Sequence, residues 1–217
     1  TRYISVTGVQ TCALPILNYA HAYGDAEAAF EEAIQIFRKV FGPGSYPEIL
    51  TLMNLASAEG AQGKTQEAYD HRSEGIVMLE KLAPNDLYLA GTSRMGLSEL
   101  EVSLGKPEAA VKSATRAVEL LSKVRPANDI SLVDAHITLA RAEASVGRLE
   151  EASARLKSNL GLMEAQARLR ASTDGPGVLA QVGWSYERAL DTAWLTHDME
   201  TGFRIAQLMV ETDASAA

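Results

Sequence analysis

The sequence predicts an all-α solenoid of stacked antiparallel helix pairs, and three observations carry that expectation. The phrase Gly-x-x-x-x-Ala occurs at Gly24/Ala29, Gly63/Ala68, Gly105/Ala110 and Gly147/Ala152, with steps of 39, 42 and 42 residues between glycines. A fixed step of this size marks an architecture in which each unit hides its apolar face only against its neighbours. Leu55, Leu97 and Leu139 each stand eight residues before the last three glycines. Finally, Ala, Leu and Glu are abundant and β-branched runs are few, which favours helix over sheet.

The elements follow in chain order. Residues Val6 to Ile16 resemble one translated reading frame of a common sequencing-library adapter, so 1–16 is expected to be a non-native segment and is set aside. The native N-terminus is then expected to be missing. Cys12, the only cysteine, belongs to that segment, which leaves no disulfide framework and no thiol nucleophile in 17–217. This fits a reducing compartment, and a cytoplasmic location is expected.

From residue 17 to residue 212 the chain reads as one helical repeat domain, truncated at its start. In Pro47 to Gln62, Ile49, Leu52, Met53, Leu55 and Ala56 fall at helical spacing on one face. Gly63 stops that helix, because glycine accepts the left-handed backbone that a helix end needs. A second helix is predicted from Lys64 to Leu82, ended by Pro84-Asn85-Asp86. The next pair runs from Leu87 to Leu104 and from Gly105 to Val124, and a third starts with Ile130 to Val146 and Arg148 to Ala171. Ala68, Ala110 and Ala152 are expected where the second helix of a pair crosses closely over the first.

The period then slips. Thr173 to Gly177 reads as a break, followed by helices over Val178 to Thr196 and Met199 to Thr212. His197 to Gly202 occupies the slot of the Gly-to-Ala phrase, 50 residues after Gly147. An atypical unit here is expected where a solenoid is capped. The small polar residues 213–217 are expected to form a disordered tail.

Composition narrows the function. No apolar stretch approaches the roughly 20 residues that cross a bilayer. Net charge is −8, or −9 without Arg2, and an acidic surface repels phosphate backbones, so nucleic acid is not an expected partner. Gly63-Lys64-Thr65 echoes the end of a phosphate-binding loop, but Ala58 stands where the first glycine is required and no strand precedes it. His21, His71, His136 and His197 form no ligand pair at helical spacing. No catalytic, metal or cofactor residue is predicted, and the chain is expected not to be an enzyme. Trp184, Tyr186 and Trp194 concentrate aromatic mass in one helix; burial against the preceding unit is the first expectation, and an aromatic contact site at the end of a groove is the alternative.

The leucine eight before the glycine and the alanine five after it resemble the tetratricopeptide repeat. The 42-residue step, the junction Phe41-Gly42-Pro43-Gly44-Ser45-Tyr46-Pro47 and the run Leu52-Met53-Asn54-Leu55-Ala56 are similar to the longer repeats of kinesin light chains and their bacterial relatives. The resemblance implies a right-handed superhelix whose inner wall is lined by the first helix of each pair. It places Met53, Asn54 and Ser57, then Thr92, Met95 and Glu99, on that wall. The next units add Asp134, Ile137, Thr138 and Arg141, then Glu187, Arg188 and Asp191. The alternative is that most of these are ordinary exposed helix positions.

Relatives that clamp acidic C-termini line these positions with cations, whereas here Arg141 and Arg188 are the only two. A protein or peptide with apolar anchors and some basic residues is therefore the expected partner. The resemblance implies a non-catalytic interaction scaffold within a larger, bacterial, signalling or regulatory protein. Two alternatives stand beside it: a peptide-sensing regulator, and the substrate-recruiting part of an enzyme whose catalytic domain lies upstream.

Overall fold

A computed structural model of the chain describes residues 23–171 and 176–214, with side chains over 23–165 and 185–210. Among the described residues there are nine helices and no strand: α1 (Tyr23–Phe41), α2 (Tyr46–Ala61), α3 (Thr65–Leu82), α4 (Leu87–Ser103), α5 (Pro107–Leu121), α6 (Ile130–Ser145), α7 (Leu149–Ala171), α8 (Pro176–Leu195) and α9 (Met199–Ala214). The pairs α2/α3, α4/α5, α6/α7 and α8/α9 are the repeating hairpins, and α1 stands in register with their second helices. Every substantial helix contact joins helices one or two apart in the chain, as a one-dimensional stack requires.

Each hairpin turns in the same way. Gly63, Gly105 and Gly147 have φ of 78°, 67° and 79°, the left-handed backbone expected of them. The next residue's N–H then donates back to a carbonyl five residues earlier, Lys64 to Glu59 at 3.0 Å, Lys106 to Glu101 at 2.8 Å and Arg148 to Glu143 at 3.0 Å. This is the Schellman ending, which satisfies a carbonyl the helix leaves open. In the last hairpin Asp198 donates to Ala193 at 2.9 Å, but the left-handed position is held by His197 at φ 56°. Between hairpins the chain restarts on aspartates: Asp86 accepts from the Leu89 N–H and Asp129 from the Ser131 N–H.

The crossing alanines Ala68, Ala110 and Ala152 are completely buried, and Leu55, Leu97 and Leu139 are core. The first copy of the repeat is different from its sequence reading. Gly24 lies inside α1, Ala29 is exposed, and Ala26 is the buried alanine. Ala26 stands 42 residues before Ala68, so the step of 39 becomes 42. The remaining boundary differences are small. α5 ends at Leu121 rather than Val124, and α8 starts at Pro176, inside the expected break. α9 continues through Ala214, two residues into the expected tail.

One internal feature escaped the sequence reading. Glu59, Glu101 and Glu143 recur every 42 residues at the end of the first helix of each pair, and all three are buried. Each meets the residue twelve positions on: the His71 Nδ1 at 2.9 Å, the Ser113 hydroxyl, and the Arg155 guanidinium at 2.7 Å. In α8/α9 the corresponding pair is Ala193 and Ile205, both fully buried and apolar.

The stack is asymmetric. Successive first helices (α2, α4, α6, α8) touch one another directly, whereas among the second helices only α7 and α9 make a comparable contact. A wall whose one side is drawn together must curve toward that side. The first helices therefore form the concave face.

Candidate partner-binding groove

Residues that recur at the unit spacing line up as rows along the concave face. Ser57, Glu99, Arg141 and Asp191 form one row, and Asn54, Gly96, Thr138 and Arg188 the next. Their structural fates differ. Ser57, Glu187 and Asp191 are exposed; Asn54, Thr92, Met95, Glu99, Asp134, Arg141 and Arg188 are partly exposed. Met53, Ile137 and Thr138 are buried, contrary to their placement on a surface. Met53 packs among Ile49, Ile76, Leu79 and Leu97, and Ile137 packs with Val133, Leu156 and Tyr186. Burial follows from the close contact between successive first helices, which covers the flanks of their inner faces.

The two cations read on this wall are not free. Glu99 lies 3.6 Å from the Arg141 Nε and 3.6 Å from an Arg188 Nη. One carboxylate thus links α4 to α6 and, across α6, to α8. The distances exceed hydrogen-bond range, and Glu99 Oε1 and Arg188 Nε are buried without a hydrogen-bond partner.

The groove also holds a third cation that the sequence reading did not place there. Arg72 belongs to α3, a second helix, but its guanidinium passes between α2 and α4. Its Nη2 donates to the exposed Ser57 Oγ at 2.7 Å and to the Met53 carbonyl at 3.3 Å. The side chain fits because Gly96 has none: a Cβ there would stand 2.6 Å from Arg72 Nη1.

Beyond the groove lies the forward face of α8/α9. Leu190, Asp191 and Trp194 from α8, with Asp198, Met199, Gly202, Phe203 and Ala206 from α9, line an open cleft of about 570 Å³. Trp194 is 70% exposed and Phe203 65%, so burial is not the fate of Trp194, while Tyr186 is buried and donates to the Met163 carbonyl at 3.1 Å. Trp184 lies outside the residues whose side chains are described. The α7 residues in register with Ala206 and Val210, Leu156 and Leu160, are buried against the next hairpin.

The other chemistry examined in the sequence resolves into structural roles. Lys64 of the Gly-Lys-Thr turn pairs with Glu27 at 2.6 Å. His71 bridges to Glu59, and His136 is partly buried, its imidazole pushed down by that burial and by the neighbouring Arg155. No cluster of three or more metal-ligating side chains occurs among the described residues, and none of their helices is long and apolar enough to cross a membrane.

Comparison with known proteins agrees with this architecture. A tetratricopeptide repeat model matches residues 16–46, the segment that contains α1. No curated protein matches the sequence. Among solved structures, a putative kinesin light chain with nearly identical TPR-like repeats from Podosopora anserina is similar at a TM-score of 0.64 and 18% identity, covering 91% of this chain and 90% of that one. BtubC (BKLC) from P. vanneervenii gives 0.69 at 12% identity, covering 91% and 76%. The apo form of RapI gives 0.61 at 13%, covering 92% and 78%. The chain is thus an all-α, right-handed superhelical solenoid of tetratricopeptide type, similar in fold to the kinesin-light-chain repeats.

Proposed function

We propose that this chain is a non-catalytic interaction module that receives a segment of another protein along the wall formed by α2, α4, α6 and α8. The observation that carries the reading is where polar groups stand without hydrogen-bond partners. Arg72 Nε, Glu99 Oε1 and Arg188 Nε, three of the nine buried side-chain polar atoms without a hydrogen-bond partner among the described residues, stand at this wall. Buried polar atoms are normally satisfied, and a segment bound on this wall would supply partners for these three. Exposed Glu187, Asp191 and Trp194 at the far end favour a partner with a basic residue and an apolar anchor there.

The test is a binding titration of this chain against partners recovered by crosslinking. Asp191→Lys and Trp194→Ala should each weaken binding about tenfold or more, as loss of an anchor does. Substitutions on the exposed surfaces of α3 and α5 should leave it unchanged. The opposite pattern would move the partner to the convex face and end this reading.

A sensing role is the second reading, favoured by one observation. Glu99 ties three successive first helices together through Arg141 and Arg188, so a guest that competes for either arginine changes what holds the curvature.

A further inference from the structure

We propose that the exposed apolar stripe of α9 is the contact between two copies of this chain, which pair their α9 helices antiparallel about a two-fold axis beside Phe203. The inference is independent of the groove reading, because α9 is not one of the helices of the concave wall.

The stripe is written in the sequence. Met199, Phe203, Ala206 and Val210 follow at steps of four, three and four residues, which is one face of a helix. Met199, Phe203 and Val210 are each more than half exposed, and Trp194 of α8 borders the same cleft. These four large side chains leave on the order of 500 Å² of apolar surface in water, the upper end for a monomer. Two copies brought together would cover about 1,000 Å², where specific interfaces begin.

Shape and charge select a second copy as the occupant. The helix carries two successive hollows. Met199, Gly202, Phe203 and Ala206 form the α9 side of the cleft, and Phe203, Ala206, Gln207 and Val210 line a second hollow of about 360 Å³. Each set has the i, i+3, i+4, i+7 spacing that receives one knob from a facing helix. The same helix supplies two large knobs, Met199 and Phe203, four residues apart. With the axis beside Phe203, the Phe203 ring of one copy enters the first hollow of the other, over Gly202. Met199 then enters the second hollow, opposite Ala206. Two knobs thus meet two hollows, and symmetry repeats the fit. In this register Glu200 faces Arg204 of the other copy along one flank of the stripe. Both are exposed, although Arg204 also pairs with Glu164 of its own copy. Such a contact uses the same patch on each side, so it closes at two copies.

The test uses this chain without any ligand. Sedimentation equilibrium should show a reversible monomer–dimer equilibrium in the micromolar range, as suits a small interface. Phe203→Glu should weaken it about thirtyfold or more, as loss of a central aromatic anchor does. The ring is exposed, so the helical circular dichroism and the melting temperature of that variant should match the parent. Disulfide trapping reads the register separately. With Cys12→Ser as background, a mixture of Met199→Cys and Ala206→Cys should form a mixed disulfide, and neither variant alone should cross-link. In the antiparallel register each of these positions lies about 10 Å along the axis from its own counterpart. That exceeds the roughly 7 Å between Cα atoms that a disulfide tolerates. A chain that stays monomeric through the micromolar range, or a dimer that Phe203→Glu leaves intact, would overturn the proposal. So would single variants that cross-link with themselves as well as the mixture does. None of these outcomes bears on the groove reading, which the binding titration decides.

Discussion

Glu101 shows how a repeated position acquires a pH dependence. Burial pushes its carboxyl above the ordinary range, and the Ser113 hydroxyl, Lys106 and Arg94 only partly oppose that. One of its oxygens, Oε2, is buried without a hydrogen bond. A group whose folded pKa is raised contributes its stability below the ordinary carboxylate range and loses it as pH climbs through the folded value. Glu101→Gln should therefore raise stability at neutral pH by about 1 kcal/mol, the scale of one unsatisfied buried polar atom. The gain should vanish in acid. Thermal melts across pH check it, and an equal gain at both ends would refute the linkage. Asp198 has the opposite sign. Burial by itself raises its carboxyl, but bonds from Ser153, Lys157 and Thr201 outweigh this and bring it to about 2. Asp198→Ala should cost about 1 kcal/mol, as loss of a helix cap does. That cost should be present above the ordinary aspartate range and fade as pH falls toward 2.

At the scale of the element, the hairpin turn is the unit that the sequence specifies most closely. A glycine at the left-handed position and the backward N–H bond recur in α2/α3, α4/α5 and α6/α7, and their spacing reads directly from the chain. The last hairpin keeps the bond and replaces the glycine by His197, a side chain the left-handed region disfavours by roughly 1–2 kcal/mol. His197→Gly should stabilise the chain, by about 1 kcal/mol or less, since glycine also frees the unfolded state. Chemical denaturation measures this, and a destabilised variant would mean that the imidazole does more than occupy the turn. The first unit was legible too, but at another offset. Gly24 gives an apparent step of 39, whereas the buried Ala26 keeps the step at 42. A glycine inside a helix carries no register information; the alanine does, because only a small side chain fits the crossing.

For the whole molecule, curvature is the property that matters, and Glu99 is where it can be tested. Its carboxylate stands between Arg141 and Arg188, from helices one and two units further on. Glu99→Ala would leave two arginines facing each other and remove the one ion pair that spans α6 among the described residues. The superhelix should open, increasing the radius of gyration in small-angle scattering, and the increase should shrink in high salt as the repulsion is screened. An unchanged radius would make the triad incidental to shape. The exposed face of Trp194 and Phe203 belongs to this scale as well. Its Ala206 and Val210 are in register with Leu156 and Leu160 of α7, which are buried against the following hairpin.

The amino-acid sequence determined what depends on local periodicity: helices, their order, the glycine turns, the crossing alanines and the core leucines. These follow from which residues suit a helix, its end, or a crowded contact, and each is decided within a single unit. Only the tertiary structure decided which charges meet and which stay alone. Arg72 reaches the concave wall from a second helix, Glu99 finds arginines 42 and 89 residues away, and Met53, Ile137 and Thr138 are withdrawn from it by neighbouring helices. Periodicity gives the face of a helix to within a residue or two, but a side chain's partner depends on the curvature of the stack. That curvature is summed over every interface, so no single stretch of chain encodes it.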